Sequence, residues 1–229
     1  MSKVFKQDQA KQCEAWAQLG AVKRSQILAA ACDKLAALSE DSVKATYLFN
    51  HLLAQAASLD TVNRLSGATG ESNDLYLAPR GKSMVLGTES ASATAVLGQL
   101  VAVLLTGNEV ILRFQQQQVC EQAIAALQEA GVYPGVMSIA NDSELTTLLH
   151  ISRLAVIAAA GSLPQLAQIG QNLAETDGIL TQLVPVTDLE GLSQMFAPDY
   201  LERFCSERVK TVNTTAIGGN ASLIELGMG

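Results

Sequence analysis

The chain has 229 residues, of which 48% are hydrophobic and 16% are charged, and its formal net charge is −7 at pH 7. A chain of this length and apolar content can bury a sizeable core, as one domain or as one domain with an appendage. Its acidic balance, without any cluster of Lys and Arg, excludes nucleic acid and anionic membranes as expected partners, because both are recognised through grouped positive charge.

The N-terminal region predicts helices. The opening sequence MSKVFKQDQAKQ lacks the apolar core of a signal peptide, and no apolar stretch is long enough to span a bilayer, so we expect a cytoplasmic protein without a membrane span. Residues 7–38 carry a recurring apolar face, with a break expected near Gly20, and a second helix is expected over 42–57. Together they predict an N-terminal helical hairpin within residues 1–64. The recurring face consists of Trp16, Leu19, Ile27, Leu28, Ala31 and Leu35.

The next stretch, residues 65–81, changes from a helical pattern to turn-forming residues. Turns are expected at Gly67, at Gly70 and at the pair Asn73-Asp74, and a short strand is expected at residues 75–77 before Pro79-Arg80-Gly81. A further strand is expected at residues 209–213. The following Gly218-Gly219-Asn220 is expected to form either an anion-binding nest or a tight turn.

Between these two strands the chain alternates helix and strand. The first strand is expected at residues 82–87, and apolar residues then recur at helical spacing up to Leu105, where Gly107-Asn108 ends the helix. Further strands are expected at 110–112, 136–139, 154–159 and 179–184. Short connections between alternating elements predict right-handed βαβ units. The predicted fold class is therefore α/β, a Rossmann-like parallel sheet of about five strands within residues 65–187. Residues 188–229 are expected to form a C-terminal helix, a strand and a tail.

Several segments resemble a known family. LLTGNEVILRF, QEAGVYPGVMSI and IAAAGS are similar, in this order, to segments of the cofactor-binding domain of the aldehyde dehydrogenase superfamily. LSGATGESNDLYLAPRG and VNTTAIGGNASLIELG resemble the closing, non-catalytic domain of the proline utilization A family. The resemblance implies an aldehyde-dehydrogenase-type fold with a β-flap, a ribbon that contacts another domain or subunit. In this chain the flap is expected to have two strands, at residues 75–77 and 209–213.

The resemblance also implies a cofactor, NAD, and candidate residues for it. Arg113 stands where the family keeps a lysine for the adenosine ribose, and Gly161 and Ser162 stand where a Gly-Ser turn contacts the pyrophosphate at a helix N-terminus. Each residue also has an ordinary alternative, since Arg113 can be a solvated strand-end residue and Ser162 a plain N-cap. The segment Thr88-Glu89-Ser90 departs from the family's aromatic-asparagine turn.

The groups that aldehyde oxidation requires are not found in the sequence. The family takes its cysteine nucleophile from a separate catalytic domain and a carboxylate from the segment after the fifth strand, whereas this chain continues through Pro185 to Leu189-Glu190-Gly191. Four scattered cysteines predict free structural thiols, and His51 and His150 predict no metal cluster. We therefore assign no catalytic and no metal-binding residue. The cysteines are Cys13, Cys32, Cys120 and Cys205.

The sequence thus predicts a degenerate, non-catalytic module of proline catabolism that docks through its flap on a catalytic aldehyde dehydrogenase domain or on a second copy of itself. Replacing Val212 with proline is expected to remove a donor needed for that contact. The alternatives are a Δ1-pyrroline-5-carboxylate dehydrogenase, or a part of one, that binds NAD, and a regulatory NAD sensor. The predicted interface residues are Leu75, Tyr76, Leu77, Val209, Thr211, Val212 and Asn213.

Overall fold

The computed structural model describes residues 3–140 and 145–213, which form helices and two β-sheets. The elements in chain order are α1 (Lys3–Gln18), α2 (Ala21–Ala29), α3 (Cys32–Ala37), α4 (Ser42–Ala54), α5 (Ala56–Leu59), β1 (Asn63–Leu65), β2 (Glu71–Pro79), β3 (Lys82–Gly87), α6 (Ala93–Leu105), β4 (Glu109–Arg113), α7 (Gln117–Ala130), β5 (Met137–Ile139), α8 (Leu145–Leu149), β6 (Leu154–Ala160), α9 (Leu163–Ala174), β7 (Gln182–Val186) and β8 (Cys205–Asn213). Short 3-10 turns lie at Pro134–Val136, Ser193–Phe196 and Leu201–Phe204.

The larger sheet has five parallel strands in the order β5-β4-β3-β6-β7, which confirms the predicted Rossmann-like fold. Strand β3 lies at its centre, paired with β4 on one side and β6 on the other. Helix α6 follows β3, and every one of its residues is buried. A helix that is apolar all round belongs in the middle of a structure, and α6 contacts both the sheet and the N-terminal helices α2 and α4.

The fifth strand lies later than expected. It runs from Gln182 to Val186, whereas Ile179 and Leu180 lie before it and the Leu180 side chain is 98% exposed. Pro185 lies inside the strand and pairs with Ala159 of β6. Strand β7 is at the edge of the sheet within the described residues, and an edge position tolerates a proline because one side of the strand needs no donor.

The β-flap has three strands, in the order β1-β2-β8, so the prediction of two strands was wrong. Strand β2 covers nine residues and pairs with all nine residues of β8. Asn73 and Asp74, which were expected to form a turn, lie inside β2, because tertiary pairing overrides their weak strand preference. The added strand β1 is only three residues long and exposed throughout, so it has no apolar alternation that would reveal it.

The N-terminal helices pack directly on α6. The chain breaks at Gly20, where φ is +78°, and Asp60 accepts hydrogen bonds from the backbone of Ala21 at 2.7 Å and of Val22 at 2.9 Å. A second break, not predicted, separates α2 from α3. The fully buried Trp16 donates its indole N–H to the Leu104 carbonyl at 3.1 Å. The end of α6 is therefore satisfied by a side chain from α1.

The base of the flap is held by a buried amide. Asn108 is fully buried, and its Oδ1 accepts from the Gly81 N–H at 2.8 Å, at the junction of β2 and β3. Its Nδ2 donates to Thr106 Oγ1 at 2.9 Å and to the Phe204 carbonyl, just before β8, at 3.1 Å. One side chain thus joins the end of α6 to both roots of the flap.

The sequence motif from Thr214 onward, including Gly218-Gly219-Asn220, lies outside the described residues. Among the residues that are described, no helix combines the length and apolar character needed to cross a membrane.

Candidate functional site

A cleft of about 610 Å³ lies at the carboxyl ends of the parallel strands. This is the edge at which open parallel sheets bind their ligands. Most of its polar lining consists of amide side chains, with one arginine and one glutamate. The lining residues are Leu86, Gly87, Thr88, Glu89, Arg113, Phe114, Gln115, Gln117, Ala140, Leu145, Gln165, Gln168, Ile169 and Asn172.

Arg113, the candidate for ribose binding, lies at this cleft. It is the last residue of β4 and is half-buried. Neither of the salt bridges found in the described part of the chain involves it. Its guanidinium is therefore available as a charged donor beside the cleft, as either of its expected roles requires.

Gly161 and Ser162 lie behind the wall of the cleft and do not line it. A Cβ atom at Gly161 would come within 2.1 Å of Thr88 Oγ1, so the close approach of the β3 loop explains the glycine without any ligand. Ser162 is the N-cap of α9, where it forms a capping box with Gln165. The cleft wall at this place is formed by Thr88 and Gln165.

Gln165 is the residue that sequence reasoning missed. Its Oε1 accepts from three hydroxyls, those of Thr88 and Ser90 at 2.8 Å and of Ser162 at 2.9 Å. It also accepts from the Ser162 N–H at 3.2 Å. The spacing of Ser162 and Gln165 is visible in the sequence as a capping box, but the contribution of the β3 loop depends on tertiary structure.

The four thiols are buried or half-buried and unpaired, and none of them lines the cleft. Burial raises the pKa of Cys205 to about 11 despite the nearby Arg24 and Arg80, and burial likewise raises the pKa of Cys32 to about 11. Burial, the charge of Glu109 and a hydrogen bond to it raise the pKa of Cys13 to about 12. Burial also raises the pKa of Cys120. Each thiol is therefore protonated near neutral pH.

The charge of Glu202 has a smaller effect on the pKa of Cys205 than burial has. Burial is the largest cause of the raised pKa of Cys205, and Glu202 contributes least among the causes. Cys205 is the first residue of β8.

The two histidines lie apart and serve as packing or surface residues. The ring of His51 packs 4.9 Å from that of Phe196, and its Nε2 lies 2.9 Å from the Gln55 amide nitrogen. His150 is exposed and follows α8. Within residues 3–140 and 145–213, no three side chains of the His, Cys, Asp or Glu type are grouped as metal ligands.

The flap presents two different faces. Directly opposite residues of antiparallel strands share a face, and Leu75 is opposite Val209 while Tyr76 is opposite Arg208. One face, called the apolar face here, carries the leucines and Val209 together with Glu71 and Glu207, and the other, called the charged face, carries the basic side chains and Asp74. The apolar face carries Leu65, Leu75, Leu77 and Val209, with Asn73 and Thr211 joined by a 2.6 Å hydrogen bond, and also Asn63, Glu71, Glu207 and Asn213. The charged face carries Arg64, Ser72, Asp74, Tyr76, Ala78, Ser206, Arg208, Lys210 and Val212.

The predicted interface residues are thus divided between the two faces. Leu75, Leu77 and Val209 lie on the apolar face, together with Thr211 and Asn213, whereas Tyr76 and Val212 lie on the charged face. A partner that covers one face cannot contact all seven side chains.

The register also fixes which backbone groups of β8 point outward. The Arg80 N–H donates to the Phe204 carbonyl at 3.3 Å, so Arg80 and Phe204 are a hydrogen-bonded pair. In an antiparallel ladder hydrogen-bonded pairs alternate with non-hydrogen-bonded pairs, and the alternation makes Ser72 and Val212 a hydrogen-bonded pair as well. Val212 therefore points its N–H toward Ser72 of β2. Val209 and Thr211 point theirs toward the outer edge, which no strand covers in the described part of the chain. A proline at Val212 would thus disrupt the flap itself.

Comparisons with known proteins agree on one class. No protein-family model matches the chain. The solved structure of a 1-pyrroline-5-carboxylate dehydrogenase from Thermus with bound NAD superposes with a TM-score of 0.65 at 20% identity, over 77% of this chain and 40% of that one. A variant of Bradyrhizobium japonicum proline utilization A superposes with a TM-score of 0.67 at 24% identity, over 77% of this chain and 21% of that one. The chain therefore has the fold of the aldehyde dehydrogenase superfamily.

Within that class, the sequence relatives are bifunctional PutA proteins. The Escherichia coli protein is 30% identical over 177 residues, which is 76% of this chain and 12% of the relative. The Salmonella typhimurium protein is 29% identical over 174 residues. The chain is a homologue of proline utilization A, as its motifs indicated, and spans about an eighth of the length of the curated relatives it matches.

Proposed function

We propose that the chain is a non-catalytic module of proline catabolism that docks through its β-flap on a catalytic aldehyde dehydrogenase domain. The observation that supports this role is the exposure of β8, whose residues 207–213 are all exposed and whose outer edge is uncovered in the described part of the chain. An extended edge strand of this length is a template for pairing with another sheet.

The apolar face of the flap supports the same proposal. Val209 is 53% exposed and Leu65 is 40% exposed, and they lie on the same face as Leu75 and Leu77. Covering such a face gives about 25 cal/mol for each Å² of apolar surface removed from water. The uncovered edge supplies hydrogen bonds and the apolar face supplies affinity, so both would be used by one docked partner.

The position of the thiols supports a non-catalytic role. Aldehyde oxidation needs a thiolate beside the bound aldehyde, and none of the four cysteines reaches the cleft. Their raised pKa values keep them protonated at neutral pH. A protonated thiol is a poor nucleophile, so we expect no turnover by this chain alone.

A pair of proline variants tests the docking. Val209→Pro removes an outward N–H and leaves the β2–β8 ladder intact, so we expect the variant to fold and to lose assembly. Val212→Pro removes an N–H that faces β2 and is expected to loosen the flap itself. Sedimentation gives the mass of each protein alone and mixed with the aldehyde dehydrogenase domain of a proline utilization A protein.

A control variant distinguishes the loss of the backbone N–H at the edge of β8 from the loss of the Val209 side chain. Val209→Thr keeps the outward N–H and a branched side chain and is expected to assemble as the wild type does. Assembly of the Val209→Pro variant at wild-type strength would contradict docking through the edge of β8. A wild-type mass equal to one chain, both alone and in the mixture, would contradict the docking role as a whole.

The alternative function, a dehydrogenase or a part of one that binds NAD, is favoured by the cleft at the strand ends and by Arg113 beside it. Calorimetric titration with NAD⁺ and NADH, together with an assay of Δ1-pyrroline-5-carboxylate oxidation, distinguishes the two functions. Binding with turnover would support the dehydrogenase, binding without turnover would support a sensor, and neither result is expected under the docking proposal.

A further inference from the structure

The N-terminus of α9 is occupied by an oxygen of the chain itself. Gln165 Oε1 lies within 2.8 to 3.2 Å of four donors, namely the hydroxyls of Thr88, Ser90 and Ser162 and the N–H of Ser162. Ser90 Oγ is in addition 2.9 Å from the same N–H. One acceptor oxygen surrounded by donors from two segments is the arrangement that a bound anion would otherwise complete.

The N-terminus of α9 lies where a phosphate group of a ligand in the cleft could otherwise bind. The helix has 12 residues and begins directly after β6, at the same strand ends as the cleft. The N-terminus of a helix has unpaired N–H groups and a partial positive charge, which favour phosphate. Gln165 satisfies part of this demand from within, because its side chain folds back over the first turn.

The N-terminus of α6, which follows β3 at the same strand ends, is also occupied by a side chain of the protein. The carboxylate of Glu40 accepts from the Ala93 N–H at 3.0 Å and from Thr94 Oγ1 at 2.9 Å at the start of α6. Burial opposes ionisation of Glu40, but its hydrogen bonds, including those with Thr94 and Ser92, outweigh this and lower its pKa. Ser92 Oγ accepts from the Ala95 N–H at 3.2 Å. The α6 terminus is thus closed to anions by a fixed negative charge.

We infer that Gln165 is a built-in occupant that excludes phosphate groups from the α9 end of the cleft. Thr88 and Gln165 form the cleft wall there, so a ligand in the cleft meets an amide and a hydroxyl and no free helix terminus. Ligands that enter the cleft must therefore bind without a phosphate at this end. The inference concerns the cleft alone and is independent of docking through the flap.

Removing the occupant tests the inference. Gln165→Ala should release the donors of Thr88, Ser90 and Ser162, and pyrophosphate, titrated by calorimetry, should bind at least about tenfold more tightly than to the wild type. Gln168→Ala is the matched control, because Gln168 lies one turn later in α9, lines the same cleft and pairs with Asn172. Gln165→Glu keeps an acceptor and adds negative charge, so it should bind no pyrophosphate.

Two results would overturn the inference. One is equal pyrophosphate affinity in the wild type and in Gln165→Ala, with circular dichroism showing that the variant is folded. The other needs no variant: a saturable shift of the Ser162 amide resonance when pyrophosphate is added to the wild type would show that the terminus is open. Neither result depends on the assembly mass, so failure here leaves the docking proposal to its own test.

Discussion

Asn108 provides the sharpest test of how the flap is attached to the body. Asn108→Ala removes an acceptor for the Gly81 N–H and donors for the Phe204 carbonyl and Thr106 Oγ1, all from a side chain with 0% exposure. Each buried group left without a partner costs about 1–3 kcal/mol. The contact at Gly81 is only partly buried, and water replaces some of its loss. We therefore expect a loss of about 2–4 kcal/mol in the free energy of unfolding.

The assay uses the single tryptophan of the chain, Trp16, which is fully buried against the end of α6. Urea unfolding followed by its fluorescence gives the free energy for the wild type and the variant. Asn50→Ala is the control, because Asn50 is exposed on α4, and it should change stability by less than about 0.5 kcal/mol. A loss below about 1 kcal/mol for Asn108→Ala would refute the role assigned to the buried amide.

Two further predictions concern packing and pH. Gly161→Ala places a Cβ within 2.1 Å of Thr88 Oγ1 and should lower the free energy of unfolding by about 1–3 kcal/mol, measured by thermal unfolding. Adding Thr88→Ala should restore part of this loss. An equal loss in the single and the double variant would contradict the explanation. Burial raises the pKa of Cys205 from 9.0 to about 11, so its stabilising contribution is complete below pH 9 and is lost as the pH rises through 11. Urea unfolding should therefore show stability falling over this interval more steeply in the wild type than in Cys205→Ala, and identical slopes would rule out this assignment.

The parallel sheet could be predicted because its elements carry strong local patterns. Strand β3 was expected at the residues where it occurs, and α6 ends at Leu105, just before the expected stop at Gly107, which has positive φ. A continuous apolar run, a helical period and a glycine at the end are each local properties of the sequence. They fix the order of the elements and, through right-handed connections, the parallel arrangement.

The flap was harder to predict because it depends on pairing between distant segments. Asn73 and Asp74 have turn preferences, and they are strand residues only because Thr211 and Lys210 lie opposite them. Strand β7 was misplaced for a related reason, since Pro185 usually ends a strand but is tolerated at the edge of the sheet.

At the cleft, the family resemblance indicated Arg113, Gly161 and Ser162 as cofactor-binding residues, whereas only Arg113 lies on the lining. Gln165 lies three residues after Ser162, which is the spacing of a capping box, but its role was not predicted. Its contacts with Thr88 and Ser90 join segments more than seventy residues apart, and no local pattern predicts them. The burial of Asn108 at the roots of the flap depends in the same way on segments that meet only in the fold.

Hydrogen exchange along β8 tests the docking proposal most directly. In the isolated chain, the outward N–H groups of Val209 and Thr211 should exchange quickly, because no strand covers that edge in the described residues. Mixed with the aldehyde dehydrogenase domain of a proline utilization A protein, or at concentrations where the chain assembles with itself, these two amides should become protected while those at the cleft do not change. Assembly without added protection at Val209 and Thr211 would contradict docking through the β-flap.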